Sequence, residues 1–212
     1  MAGGSADQVN RLLGRSVAVL GGSAAAAGSA VGGTAGLSGL GGFLSAFAEG
    51  GLPEALQFLG LERLIGSDRF DILDELVTAL SGDGGDLESQ AARDAECDVL
   101  DELFGEADDW SQLESVTVTG LEVSDLLSSF LARYIYNRIP AIGERLARNI
   151  DPVAARREDL HIIQMIRDVV ELKLPDNALS DFDWSGPAGR EFAELRITEI
   201  YRILEAFGDE NV

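Results

Sequence analysis

Cys97, His161 and Lys173 are each the only residue of their kind among 212. A lone cysteine excludes an intrachain disulfide and fits a cytoplasmic protein. One cysteine and one histidine cannot assemble a Cys/His zinc site. Lys173 lies far downstream of the glycine-rich N-terminal region, so that region cannot be a phosphate-binding loop, which closes on a lysine. Its glycines also lack the strand before and the helix after that a dinucleotide fingerprint requires. A histidine-based triad could use only His161, which follows Glu158, Asp159 and Leu160, and no nucleophile or orienting partner is marked for it. Cys97 stands between Glu96 and Asp98, and neighbouring carboxylates hold a thiol protonated. The acids form no DxDxDG calcium loop, and Asp83-Gly84-Gly85-Asp86 reads as a solvated turn. The chain is therefore expected to be no enzyme, with no catalytic residue, cofactor or metal.

Cations are scarce as well. Lysine and arginine total 16 against 37 acids, for a net charge of −21. Such a chain repels phosphate backbones, which excludes direct nucleic-acid binding, and it disfavours an anionic membrane surface. It favours encounter with a basic protein surface. A hydrophobic fraction of 46% is enough for a core. The acid is unevenly spread. Residues 1–50 are neutral, residues 51–125 set 20 acids against Arg63, Arg69 and Arg93 for a net −17, and residues 126–212 carry a net −4.

From Ser16 to Ala48 there is no charged residue, and glycine recurs throughout. Three readings compete. Glycine disfavours a free helix by about 1 kcal/mol per residue against alanine, which points to a flexible tail or one ordered by a partner. Gly28, Gly32 and Gly36 are spaced by four and would line one stripe of a closely packed helix pair. The same spacing occurs in membrane-inserting segments, and residues 16–48 exceed the ~20 residues of a span. Its apolar content is mostly alanine, which weakens that third reading.

Downstream, helical periodicity dominates. Pro53 suits a first helical position ahead of Ala55, Leu56 and Leu59. Ser67 is the expected cap of a helix through Phe70, Leu73, Leu76 and Leu80, and Asp86 of one running to Phe104. Residues 115–119 alternate like a strand but lack a partner, so they read as a connector into a helix over Leu126, Phe130 and Tyr134. Pro140 should interrupt that helix. Asp151-Pro152 starts another, and a last helix runs from about Pro187 to Phe207. The expected fold is all-α, an irregular multi-helix bundle. Its divisions are a Gly/Ala-rich segment over 1–37, an acidic helical domain over 38–207 and a short tail over 208–212.

Two groups of residues are candidates for contact with other proteins. In Asp183-Trp184-Ser185-Gly186-Pro187 with Gly189-Arg190, Trp184 reads first as a packed residue fixing a helix start, with Tyr134 or Tyr136 beside it. Trp184 and Arg190 are also types enriched at interface hot spots. Asp94, Asp98, Asp101 and Glu102 form the acidic stripe expected to meet a basic partner.

The order of several short motifs resembles a known family. Leu40-Gly41-Gly42-Phe43-Leu44, Glu54-Ala55-Leu56, Leu59-Gly60-Leu61, Tyr134-Ile135-Tyr136 and the Trp184 segment follow one another, over roughly residues 38–207, as in QatB of the Qat anti-phage defence system. The glycine-rich segment here lacks the arginines of that family's N-terminal tail. The resemblance implies a cytoplasmic adaptor or modification target without its own catalysis. Its partners would be a P-loop ATPase, an enzyme resembling one of the queuosine pathway, and a TatD-like nuclease. Such an enzyme suggests modification of a glycine-exposing N-terminus, which here would require trimming to present Gly3. Two other classes remain open from composition alone. One is an acidic nucleic-acid mimic that occupies a DNA-binding protein; the other is a membrane-inserting effector acting through residues 16–48.

Overall fold

The computed structural model describes residues 3–81, 85–139, 142, 151–170, 172–175, 178–179 and 181–209. Nine α-helices occur among them: α1 (Gly3–Val19), α2 (Ser23–Gly28), α3 (Val31–Phe58), α4 (Arg69–Ser81), α5 (Leu87–Phe104), α6 (Trp110–Ser115), α7 (Gly120–Asn137), α8 (Pro152–Val169) and α9 (Pro187–Asp209). A short 3-10 turn covers Glu62–Leu64, and no strand occurs among the described residues. The all-α expectation holds.

α3 is the axis of the fold. It packs against α4, α5, α7 and α9, while α1 and α2 lie on α9, and α7 also meets α5 and α8. The absence of charge over residues 31–48 is explained by this position. Leu37, Leu40, Phe43, Leu44 and Phe47 are at most 2% exposed. Glycine lets bulky rings reach the α3 backbone. A Cβ on Gly33 would lie 2.2 Å from the Tyr134 ring, and one on Gly41 would lie 2.3 Å from the Trp184 ring.

The three readings of the N-terminal segment can be compared with this arrangement. Gly32 and Gly36 are buried in α3, as close packing requires. Gly28 is exposed, with nothing within 4 Å of where its Cβ would stand, so the three glycines do not share one contact. The division drawn between residues 37 and 38 falls inside α3, and Gly208 of the short tail lies within α9, in contact with Gly14 of α1. α3 is long and apolar enough to cross a membrane, yet 72% of its most apolar window is buried inside the protein.

Helix ends follow ordinary capping chemistry, with one correction. Asp68, and not Ser67, caps α4: its Oδ1 accepts from the N–H groups of Phe70 (2.9 Å) and Asp71 (3.1 Å). α4 begins at Arg69, so Asp68 and not Ser67 stands at the capping position, and its charge suits a helix N-terminus. Asp86 caps α5, Asp109 caps α6, and Asp151 caps α8 with Pro152 in its first turn. Residues 116–119 are the expected connector, and they end in a capping box between Thr119 and Glu122 that starts α7. Inside α3, Gly51 takes φ +75°, a conformation few other residues adopt. The helix restarts after it with Pro53 in the new first turn, as the sequence suggests. α7 ends at Asn137; Pro140 lies outside the described residues.

Candidate functional site: an acidic face around a polar hub

α5 has a buried face that is apolar apart from Glu96, and an exposed acidic one. Ala91, Ala95, Val99, Leu100 and Phe104 face inward, whereas Asp94, Asp98, Asp101 and Glu102 are exposed. These four acids form the stripe expected from the sequence, but they are not merely solvated. Arg133 of α7 reaches Asp98 at 3.1 Å and Glu102 at 3.3 Å. Arg69 of α4 reaches Asp101 at 3.4 Å. Asp94 accepts from the Gln90 amide at 2.6 Å. Exposed pairs of this kind contribute little to stability.

The acidic face continues onto the first turns of α4. There the Asp71 carboxyl is raised above its ordinary value, first by the charge of Asp68, then by partial desolvation and by Asp74 and Glu75. Between α4 and α5 runs a groove of about 650 Å³, whose lining includes Phe70, Leu73, Val77, Leu100, Cys97 and Arg93. Asp74, Asp98 and Asp101 stand around it. Phe70 is 79% exposed, unusual for so large an apolar side chain. Cys97 is exposed on this wall. Its thiol is pushed up by partial burial first and then by Asp94, Glu96 and Asp98, as the sequence suggests.

Behind this face lies a polar hub that sequence reading missed. Glu88, in the first turn of α5, accepts from the N–H of Gly32 at 2.7 Å and of Gly33 at 3.1 Å, and from the Tyr134 hydroxyl. It thereby caps α3 from 55 residues away in sequence. Arg138 completes the cluster. Its guanidinium donates to the Ala26 carbonyl (2.8 Å), the Tyr201 hydroxyl (2.9 Å) and Ser29 Oγ (2.8 Å), and lies 5.7 Å and 5.6 Å from the centroids of the Tyr134 and Tyr201 rings. Burial pushes both phenols above their ordinary value. These groups join α2, α3, α5, α7 and α9. No local pattern could have announced them, because every partner comes from a distant helix.

Trp184 and Arg190 are separated by the fold. Trp184 is 3% exposed, and its Nε1 donates to the Ala178 carbonyl at 2.8 Å. Its ring partners are Phe182 and Phe192, at centroid distances of 4.9 and 5.7 Å. Tyr134 and Tyr136, expected beside it, belong elsewhere: Tyr134 to the hub and Tyr136 to Asp159 through its hydroxyl. Arg190 is exposed, one turn into α9, beside a groove floored by Ala24, Ala27, Val31 and Ala35. His161 is exposed on α8. Gly3 is the first residue of α1, ahead of the turns that bury Val9 and Leu13. Among the described residues no group of three His, Cys, Asp or Glu side chains could hold a metal ion.

The fold and face thus define an acidic all-α protein with an exposed acidic face, one fully buried acid in Glu96, and a buried polar hub that joins helices. Residues 21–204 match the family model described as Qat anti-phage system associated protein QatB, and the chain belongs to that family. The match takes in most of the glycine-rich segment, further toward the N-terminus than the motifs from residue 38 onward suggest. Neither a curated protein nor a solved structure shows significant similarity to the chain.

Proposed function

We propose that this chain is a non-catalytic protein-binding subunit of an anti-phage system, acting in the cytoplasm as an adaptor or modification target. Membership of the QatB family supports the defence role. The observation that carries the binding role is the exposed stripe Asp94, Asp98, Asp101 and Glu102, continuous with the acids of α4 in a region of net charge −17. A face of one sign raises the encounter rate with a basic surface and excludes other partners. The partners that suit this role are the system's P-loop ATPase, its queuosine-pathway-like enzyme and its TatD-like nuclease. Among the described residues, Glu88, Tyr134, Arg138 and Tyr201 bond to one another or to backbone groups of α2 and α3, a role in joining helices that supports this reading. Gly3, once exposed by trimming, is the residue we assign as the modification target.

Co-purification of the tagged chain with the other proteins of the system tests this reading. Association should weaken on raising salt and on changing the four acids to Asn and Gln together. Complexes indifferent to both changes would contradict it.

A further inference from the structure

The groove between α4 and α5 combines two properties that seldom occur together on an isolated surface. Its floor is apolar, with Phe70 79% exposed. Its surround is acidic, with Asp74, Asp98 and Asp101 on its edges and Arg93 as the one cation of its lining. α4 is 13 residues long, which gives the groove about 20 Å of helix wall. An apolar stripe flanked by one sign of charge is complementary to an amphipathic helix of the opposite sign.

We propose that the α4–α5 groove is the seat of a basic amphipathic helix supplied by a partner protein, with Phe70 as its apolar anchor, Asp74 pairing with the helix's arginines or lysines, and Asp98 and Asp101 shared between those cations and their present partners Arg133 and Arg69. This rests on the protein-binding reading above and narrows it to one groove and one kind of partner segment. A non-helical basic tail would use the acids and leave Phe70 idle, so the two occupants are distinguishable.

Cys97 provides the readout, because it is the chain's only cysteine and lies on the groove wall. The full chain is alkylated with a maleimide in the presence of a synthetic helical peptide of about 14 residues, matched to four turns of helix, with leucines on one face and lysine and arginine on the other. Peptide binding should slow Cys97 alkylation about tenfold. A scrambled peptide of the same composition, and one with glutamate in place of the cations, should not. Phe70→Ser should weaken peptide binding about tenfold, the scale of a lost aromatic anchor, while leaving the melting temperature unchanged because the side chain is exposed. Equal protection by the scrambled peptide, no protection by any peptide, or protection that rises with the chain's own concentration would overturn the proposal. The system's own partners separate this claim from the broader one. If Phe70→Ser leaves co-purification intact while neutralising the acids abolishes it, the acidic face docks partners and the groove does not.

Discussion

Glu88 and Tyr134 share a hydrogen bond across the middle of the molecule, and the same carboxylate closes the N-terminus of α3 on Gly32 and Gly33. One residue therefore satisfies two free helix N–H groups and a buried phenol. Glu88→Ala removes all three hydrogen bonds together. The expected cost is about 2–3 kcal/mol, a melting temperature lower by roughly 5–10 °C for a protein of this size. Thermal melts followed by circular dichroism check this; an unchanged midpoint would mean that water replaces the carboxylate freely.

The glycines of α2 and α3 should respond by location. Gly41→Ala sets a methyl group 2.3 Å from the Trp184 ring, so overpacking of about 1–3 kcal/mol is expected. Gly28→Ala meets nothing within 4 Å and should leave stability unchanged or slightly higher. Equal, small effects at both positions would show that the segment does not pack as described. Trp184→Ala should be severe, about 3–5 kcal/mol, whereas Arg190→Ala should not change the melting temperature.

Alkaline pH offers a test on the chain's three tyrosines, Tyr134, Tyr136 and Tyr201. All three phenols are raised in the folded protein, chiefly by burial. A raised folded value means that the native state keeps protons the unfolded chain would lose above about pH 10. Stability is therefore full below that pH and falls as pH climbs past it. Phenolate absorbance should appear together with loss of helical signal, in one cooperative step. Tyrosines that titrate near pH 10 while the helices persist would contradict their burial.

His161 and Cys97 are both exposed and outside any arranged reactive group. His161→Ala and Cys97→Ser should each leave phage resistance at the wild-type level in a plaque assay. Loss of resistance in a stably folded His161→Ala protein would restore a catalytic reading.

Much of this architecture was legible because local chemistry decides it. Asp86 and Asp151 cap the helices that their positions suggest, and Pro53 follows the break at Gly51. The acidic stripe follows from helical spacing alone. Tertiary contacts were not legible. The missing charge between Ser16 and Ala48 is equally compatible with a tail, a membrane segment and a core helix; only the rings of Tyr134, Phe130 and Trp184, all distant in sequence, show why α3 is so rich in glycine. Trp184 could be read as packed but its neighbours could not, since Phe182 lies two residues away and Phe192 eight, and nothing in the spacing ranks them above Tyr134. The arginine bridges from Arg69 and Arg133 were hidden for the same reason.

The association rate between this chain and the P-loop ATPase proposed above as a partner, measured against ionic strength, bears most directly on the proposed protein-binding role. A docking face of this charge should give a rate that falls steeply with salt, and neutralising Asp94, Asp98, Asp101 and Glu102 together should slow it by about tenfold or more and flatten the salt dependence, with the melting temperature nearly unchanged. A rate independent of salt and of these four changes would show that the acidic face is not where partners bind.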